Sequence, residues 1–195
     1  MREVRLNRKT AETDIDLSLN LDGTGKYDID TGCGFMNHML ELFAKHGSFD
    51  LAIKCKGDTE VDCHHSVEDV GICLGQAFLR ALGDKKGINR YGYFILPMDE
   101  ALILSAVDFG GRSYLSFGLK VVCPRLGEFD TELVEEFLQA FTREAKINLH
   151  LVQLDGKNLH HIFEGAFKSL ARALKQAVAL DEANADSLPS TKGIL

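Results

Sequence analysis

Hydrophobic and polar positions along this chain follow two rhythms, and the pair of rhythms occurs twice. From about Val4 to Asp30, Ile15, Leu17, Leu19 and Leu21 fall on every second residue, the period of a strand with one buried face. Asp22-Gly23 offers a turn before Tyr27, Asp28 and Ile29. The period then lengthens. Met36, Met39, Leu40, Phe43 and Ala44 recur at three- and four-residue spacing, which predicts a helix with one apolar face. A strand is expected over 49–54, a loop at Gly57-Asp58, a second strand near 59–62 and a longer helix over about 65–82. The order then returns, with strands at 101–109, 114–117 and 147–154 and helices at 132–144 and 161–180.

The second pass can be laid over the first. HHSVEDVGICLGQAFLRAL (64–82) superposes on HHIFEGAFKSLARALKQAV (160–178) at a constant offset of 96. Both histidines, the glutamate, Leu74 on Leu170, Ala77 on Ala173 and Ala81 on Ala177 coincide. Upstream the offset is 98, which puts Phe43 on Phe141 and Leu51 on Leu149. A period this long is not that of a solenoid. It predicts an α+β fold: one domain over 1–195, made of two similar half-domains, about 1–88 and 89–185, from an internal duplication. Each half is a mixed β-sheet with two helices, the helices lie between the sheets, and 186–195 forms a C-terminal substrate-binding tail.

Composition narrows the function. The 195 residues are 45% hydrophobic and 26% charged, with a net charge of −7, which argues against general nucleic-acid binding. No apolar run nears the roughly 20 residues of a membrane span. The charged N-terminus lacks the apolar stretch of a signal peptide, so a cytoplasmic protein with no membrane partner is expected. Cys33, Cys55, Cys63, Cys73 and Cys123 show no CxxC spacing and read as free thiols in a reducing compartment. Cys63, beside His64, is read as a plain thiol in preference to a soft-metal ligand.

The chemistry lies in the histidines. Four of the seven form two copies of His-His-x-x-Glu: His64, His65 and Glu68, then His160, His161 and Glu164. On a helix His64 and Glu68 share a face, whereas His65 is rotated by about 100° from His64. One pair therefore cannot readily chelate a single ion, and its members should serve different metals. The offset of 98 adds His38, which falls on Glu136. Eight groups over two ions give four each, with open positions for substrate. Imidazole and carboxylate without thiolate suit manganese, iron or zinc, and open positions favour manganese or iron. His46 and His150, taken alone, are ordinary histidines. Phosphate recognition is fainter. Arg90, Arg112, Lys168 and the terminal Ser190-Thr191-Lys192 are candidates, and Lys168 lies one helical turn beyond Glu164. No phosphate-binding glycine loop of a nucleotide site is present.

Several motifs occur in order: Gly-Phe-Met-Asn-His-Met-Leu (34–40), Ala-Lys-His-Gly (44–47), His-His-Ser-Val-Glu-Asp-Val-Gly (64–71), Pro-Met-Asp-Glu-Ala-Leu (97–102), Leu-His-His-Ile-Phe-Glu (159–164) and Pro-Ser-Thr-Lys-Gly (189–193). Over nearly the whole chain they resemble the imidazoleglycerol-phosphate dehydratase family. The resemblance implies the ribosomal protein S5 domain 2-like fold and two Mn2+ ions per site, held by His38, His64, His65, Glu68, His160, His161 and Glu164. Glu136, where many members carry histidine, is an eighth candidate. Asn37 stands where an aspartate is frequent. Substrate contacts implied are Glu12, His38, His46, Arg90, Arg112, Lys168, Ser190, Thr191 and Lys192. Family members form 24-subunit particles built from trimers, with sites between subunits.

The reaction implied is loss of water from D-erythro-imidazole-glycerol phosphate to give imidazole-acetol phosphate in histidine biosynthesis. Two metals stabilise an imidazolate, and hydroxide leaves through a diazafulvene-like intermediate. Glu12, which overlays Glu100 at offset 88, is the expected proton carrier, with Glu68 and Glu164 as further catalytic carboxylates. A two-metal phosphohydrolase and a non-catalytic metal-binding assembly protein are the competing classes.

Overall fold

A computed structural model describes residues 2–195. The first half runs β1 (Glu3–Lys9), β2 (Thr13–Asn20), β3 (Tyr27–Asp30), α1 (Gly34–Gly47), β4 (Asp50–Gly57) and α2 (His64–Leu82). The second runs β5 (Tyr91–Met98), β6 (Ala101–Asp108), β7 (Tyr114–Gly118), a short hairpin β8 (Arg125–Leu126) and β9 (Phe129–Asp130), α3 (Leu133–Ala145), β10 (Asn148–Asp155) and α4 (Leu159–Val178). The sheet orders are β1-β2-β4-β3 and β5-β6-β10-β7. In each, the first three strands pair antiparallel and the last pair, β3 with β4 or β7 with β10, is parallel. The halves therefore share one topology, as the repeat predicts.

Alternation accounts for the sheets' buried faces. Ile15, Leu17 and Leu19 of β2, like Ala101, Ile103, Ser105 and Val107 of β6, are almost fully buried, while the residues that alternate with them are more exposed. The helices cover those faces. α2 packs on β1 and β2, α4 packs on β5 and β6, and the halves join through α1 against α4 and α2 against α3. Phe43 and Phe141, equivalent in the repeat, meet at this seam with ring centroids 6.4 Å apart. Phe78 lies 5.5 Å from Phe141, so the aromatic core is continuous between the halves.

Two local expectations change. Residues 59–61 form a turn rather than a strand: Val61 is exposed, its N–H closes on the Asp58 carbonyl, and the segment has no apolar face to bury. The cysteines are not all free, because Cys33 and Cys63 form a disulfide. These residues directly precede α1 and α2, so the fold brings together two thiols that lie 30 residues apart in the chain. Cys55, Cys73 and Cys123 remain free. Among the described residues, no helix is long and apolar enough to cross a membrane.

Candidate active site

The two doubled-histidine motifs open α2 and α4, and at each a side-chain oxygen just ahead of the histidines accepts from their backbone. Asn158 Oδ1 accepts from the His160 and His161 backbone N–H groups. At the equivalent position Asp62 Oδ1 accepts from His64 N–H at 2.7 Å. Such side-chain acceptors satisfy donors that a helix start leaves unpaired, and here they also fix the direction in which the histidines leave the helix. The His64 and His65 rings lie edge to face, nearly perpendicular at 88° with centroids 6.0 Å apart.

His38 from α1 meets the second motif. His38, His160 and Glu164 offer ligand atoms that all lie within 4.8 Å of one another. His38 Nε2 donates to Glu164 Oε1 at 2.8 Å, and His160 Nε2 approaches the same oxygen at 3.3 Å. Glu164 is buried, and Lys168 Nζ donates to its other oxygen at 2.6 Å. Burial alone would raise the Glu164 pKa, but the Lys168 and His38 hydrogen bonds outweigh it and hold the carboxyl at about 2. Two imidazoles and a carboxylate that is ionised at neutral pH, facing each other without thiolate, are a donor set that suits a divalent metal. His46 belongs to the same neighbourhood. Burial, then the charges of Lys168 and Arg172, lower its pKa and favour the neutral ring.

His65 and His161 share a different arrangement. His65 Nδ1 is hydrogen-bonded to Asp58 at 2.9 Å, and His161 Nδ1 to Glu100 at 2.7 Å. Both carboxylates raise the pKa of their imidazole, chiefly through that hydrogen bond. Glu100 also accepts from the Lys157 and Asn158 backbone. The His161 bond and these two bring its own pKa to about 2. In each half Nδ1 is tied and Nε2 is left for another partner, the usual second-sphere arrangement of a ligating histidine. Glu12 Oε1 stands 3.7 Å from His65 Nε2, which gives the predicted proton carrier an imidazole neighbour.

Other expected site residues are apart. Glu68 lies 3.7 Å from Arg143, and neither Glu68, His64 nor Glu136 joins a group of three metal-capable side chains among the described residues. Arg90 forms a two-point ion pair with Asp108 and donates to the Pro189 carbonyl at 2.9 Å. This holds the segment bearing Ser190, Thr191 and Lys192 beside it. The chain end folds over the turn leading to Arg112, since a Cβ on Gly111 would lie 2.6 Å from the Leu195 carbonyl carbon. Asn37 Oδ1 accepts from Thr31 N–H and Oγ1–H at 2.8 and 2.6 Å, so it ties down the start of α1. Sequence reasoning missed Asp58 and Asp108. Both are carboxylates in ordinary polar contexts, and only the fold aims them at His65 and Arg90.

Comparison with known proteins follows the same lines. The family model for imidazoleglycerol-phosphate dehydratase matches residues 31–174. The chain is 57% identical over 195 residues to the imidazoleglycerol-phosphate dehydratase of Caldanaerobacter subterraneus subsp. tengcongensis, with 100% of both chains covered. It is 53% identical to that of Cereibacter sphaeroides, again over all of both chains. Among solved structures, the Staphylococcus aureus enzyme superposes with a TM-score of 0.83 at 40% identity, covering 92% of this chain and 99% of that one. The Pyrococcus furiosus enzyme, described in complex with (S)-C348, gives 0.82 at 34% identity, covering 97% and 100%. A duplicated sheet-and-helix fold, two His-His-x-x-Glu helix starts and full-length identity above half together establish that this chain belongs to the imidazoleglycerol-phosphate dehydratase family, whose members are lyases that remove water.

Proposed function

We propose that the chain dehydrates D-erythro-imidazole-glycerol phosphate to imidazole-acetol phosphate, as a step of histidine biosynthesis in the cytoplasm, at a site that takes two manganese ions. The observation that carries this reading is the convergence of His38, His160 and Glu164, a group that, among the described residues, the first motif's histidines do not join. His38, His160 and Glu164 would hold one ion, with His64, His65, Glu68, His161 and Glu136 as the remaining ligands. Bound manganese supplies Lewis acidity toward the substrate's imidazole, easing loss of a poorly acidic C–H proton.

The chain's own residues do the rest. Asp58 and Glu100 fix the tautomers of His65 and His161, so that Nε2 is the free nitrogen in both. Glu12, exposed and 3.7 Å from His65, is placed to carry a proton to and from the substrate carbon. His46, held neutral beside the Lys168 cation, can accept or donate a hydrogen bond to substrate. Arg90, Arg112, Lys168 and the hydroxyls and lysine of 190–192 would take the phosphate. Because Arg90 already holds the Pro189 carbonyl, the phosphate would be gripped by a guanidinium and the tail it anchors.

A single chain gathers three of eight candidate ligands, which supports a site completed by neighbouring copies in a homo-oligomer, with the 24-subunit, trimer-based particle as the expected form. Purified protein is to be assayed for imidazole-acetol phosphate formation, with metal content and particle size measured before and after chelation. Turnover that follows metal content supports the reading, and release of inorganic phosphate would transfer it to a two-metal phosphohydrolase. Full-speed dehydration by thoroughly chelated protein would overturn the metal role.

A further inference from the structure

The disulfide sits at the root of the site. Cys33 ends the segment leading into α1, five residues before His38, and Cys63 immediately precedes His64; their Cα atoms are 6.3 Å apart. The loop between β4 and α2 hangs from this bond. It carries Asp58, which orients His65, and Asp62, which accepts from the His64 backbone N–H, while residues 59–62 are exposed.

The second half builds the same junction without sulfur. The repeat places Thr131 opposite Cys33 and Leu159 opposite Cys63, and both are buried, at 1% and 5% exposure. Thr131 is held through its hydroxyl to the Cys123 carbonyl at 2.6 Å, and Leu159 packs in the core. The half-fold therefore does not need a covalent link there. What the bond adds is control of the loop that aims His64 and His65.

The two sulfurs differ in access. Cys33 is 3% exposed, whereas Cys63 is only partly buried and lies at the edge of the exposed loop. Among the remaining thiols, burial raises Cys55 and pushes Cys73 up to about 11, which leaves both poorly nucleophilic. Cys123 is exposed in the loop before β8, on the other half of the chain.

We propose that Cys33–Cys63 is a redox modification site for a small dithiol, and that opening it loosens the metal-ligating start of α2. One thiolate of the dithiol attacks Cys63 Sγ, the Cys63–Cys33 bond breaks, and Cys33 leaves as a thiolate that takes up a proton. The second thiol of the reagent then attacks the mixed disulfide and releases Cys63 as a thiol and the reagent as its cyclic disulfide. Two electrons pass from reagent to protein. The reverse reaction uses the disulfide form of the same reagent class. The proposal rests on the two-metal reading of the site.

The test uses full-length, manganese-loaded oligomer purified without reductant, with and without dithiothreitol treatment and desalting. A Cys33→Ser/Cys63→Ser variant treated identically controls for chelation by the reagent. Alkylation under denaturing conditions should count three thiols before treatment and five after. Proteolysis within 58–63 should quicken, and manganese retention on dialysis should weaken by roughly tenfold. The double variant should resemble reduced protein in both measurements and ignore dithiothreitol. Five thiols before any treatment, or equal metal retention by oxidised and reduced protein, would overturn the proposal. Absence of manganese from every form overturns the metal reading and this proposal with it, a result distinct from equal retention.

Discussion

At the scale of single residues, two carboxylates behave oppositely although each sits in the predicted site. Glu164 is buried between a lysine and two histidines and ionised down to about pH 2. Glu12 is exposed beside His65 and, among the described residues, its carboxylate makes no close hydrogen bond, which suits a group that must exchange protons with substrate. Replacing Glu12 with Gln should leave bound metal in place and substrate affinity within a few-fold, yet lower turnover by at least about a hundredfold, the usual contribution of a positioned acid or base. Parallel substrate-binding and rate measurements check this, and unchanged turnover would reject the role. For Glu164 the folded pKa is depressed, so its stabilisation is present above its unfolded value of 4.5 and is lost as pH falls from there toward 2. In metal-free protein, Glu164→Gln should lower stability at neutral pH by on the order of 2–3 kcal/mol. The wild-type and variant melting curves should converge as pH falls below about 4. A constant gap down to pH 3 would show that Glu164 acts through packing rather than charge.

At the scale of elements, much was legible because the helices and sheets bury one face each. The periodicity located α2, α3 and α4 to within about two residues and found the apolar face of α1, and the offset repeat anticipated the matching sheets. Two features were not legible. β5 (Tyr91–Met98) exposes Tyr91, Tyr93 and Ile95, and its Pro97 and edge position mask the strand pattern. The Cys33–Cys63 pairing depends on how two helix starts meet, which no local pattern encodes. Glycine spacing in α2 carried a message that propensity alone would misread. Gly71 and Gly75 face α3: a Cβ on Gly71 would lie 2.7 Å from the Phe137 carbonyl oxygen, and one on Gly75 would lie 2.6 Å from that of Phe141. Helix propensity alone says that alanine should stabilise by about 1 kcal/mol. The contacts are with backbone and cannot swing aside, so overpacking should win. Gly75→Ala should destabilise by about 1–3 kcal/mol, read from denaturant midpoints, and a gain in stability would mean that the helices separate more easily than the contacts imply.

At the scale of the whole molecule, the candidate ligands fall in separate places within one chain. His38, His160 and Glu164 come together from α1 and α4, whereas His64 and Glu68 open α2 with no third ligand near them among the described residues. If every site joins the His38 cluster of one copy to the α2 histidines of another, an inactive His38→Ala protein and an inactive His64→Ala protein damage different contributors to the same site. Unfolding each alone and reassembling them together in equal amounts should then form some sites whose two contributors are both intact. Random mixing at a heterologous interface makes this about a quarter of the sites, so activity near a quarter of wild type should return, while reassembly of either variant alone stays inactive. Recovery should also require manganese during reassembly, since ligands shared between chains link metal binding to association. If each chain instead closed its own site, every chain in the mixture would carry one lesion and no proportion of the two variants would restore turnover. The same mixture, sized by light scattering, separates that outcome from a failure to reassemble.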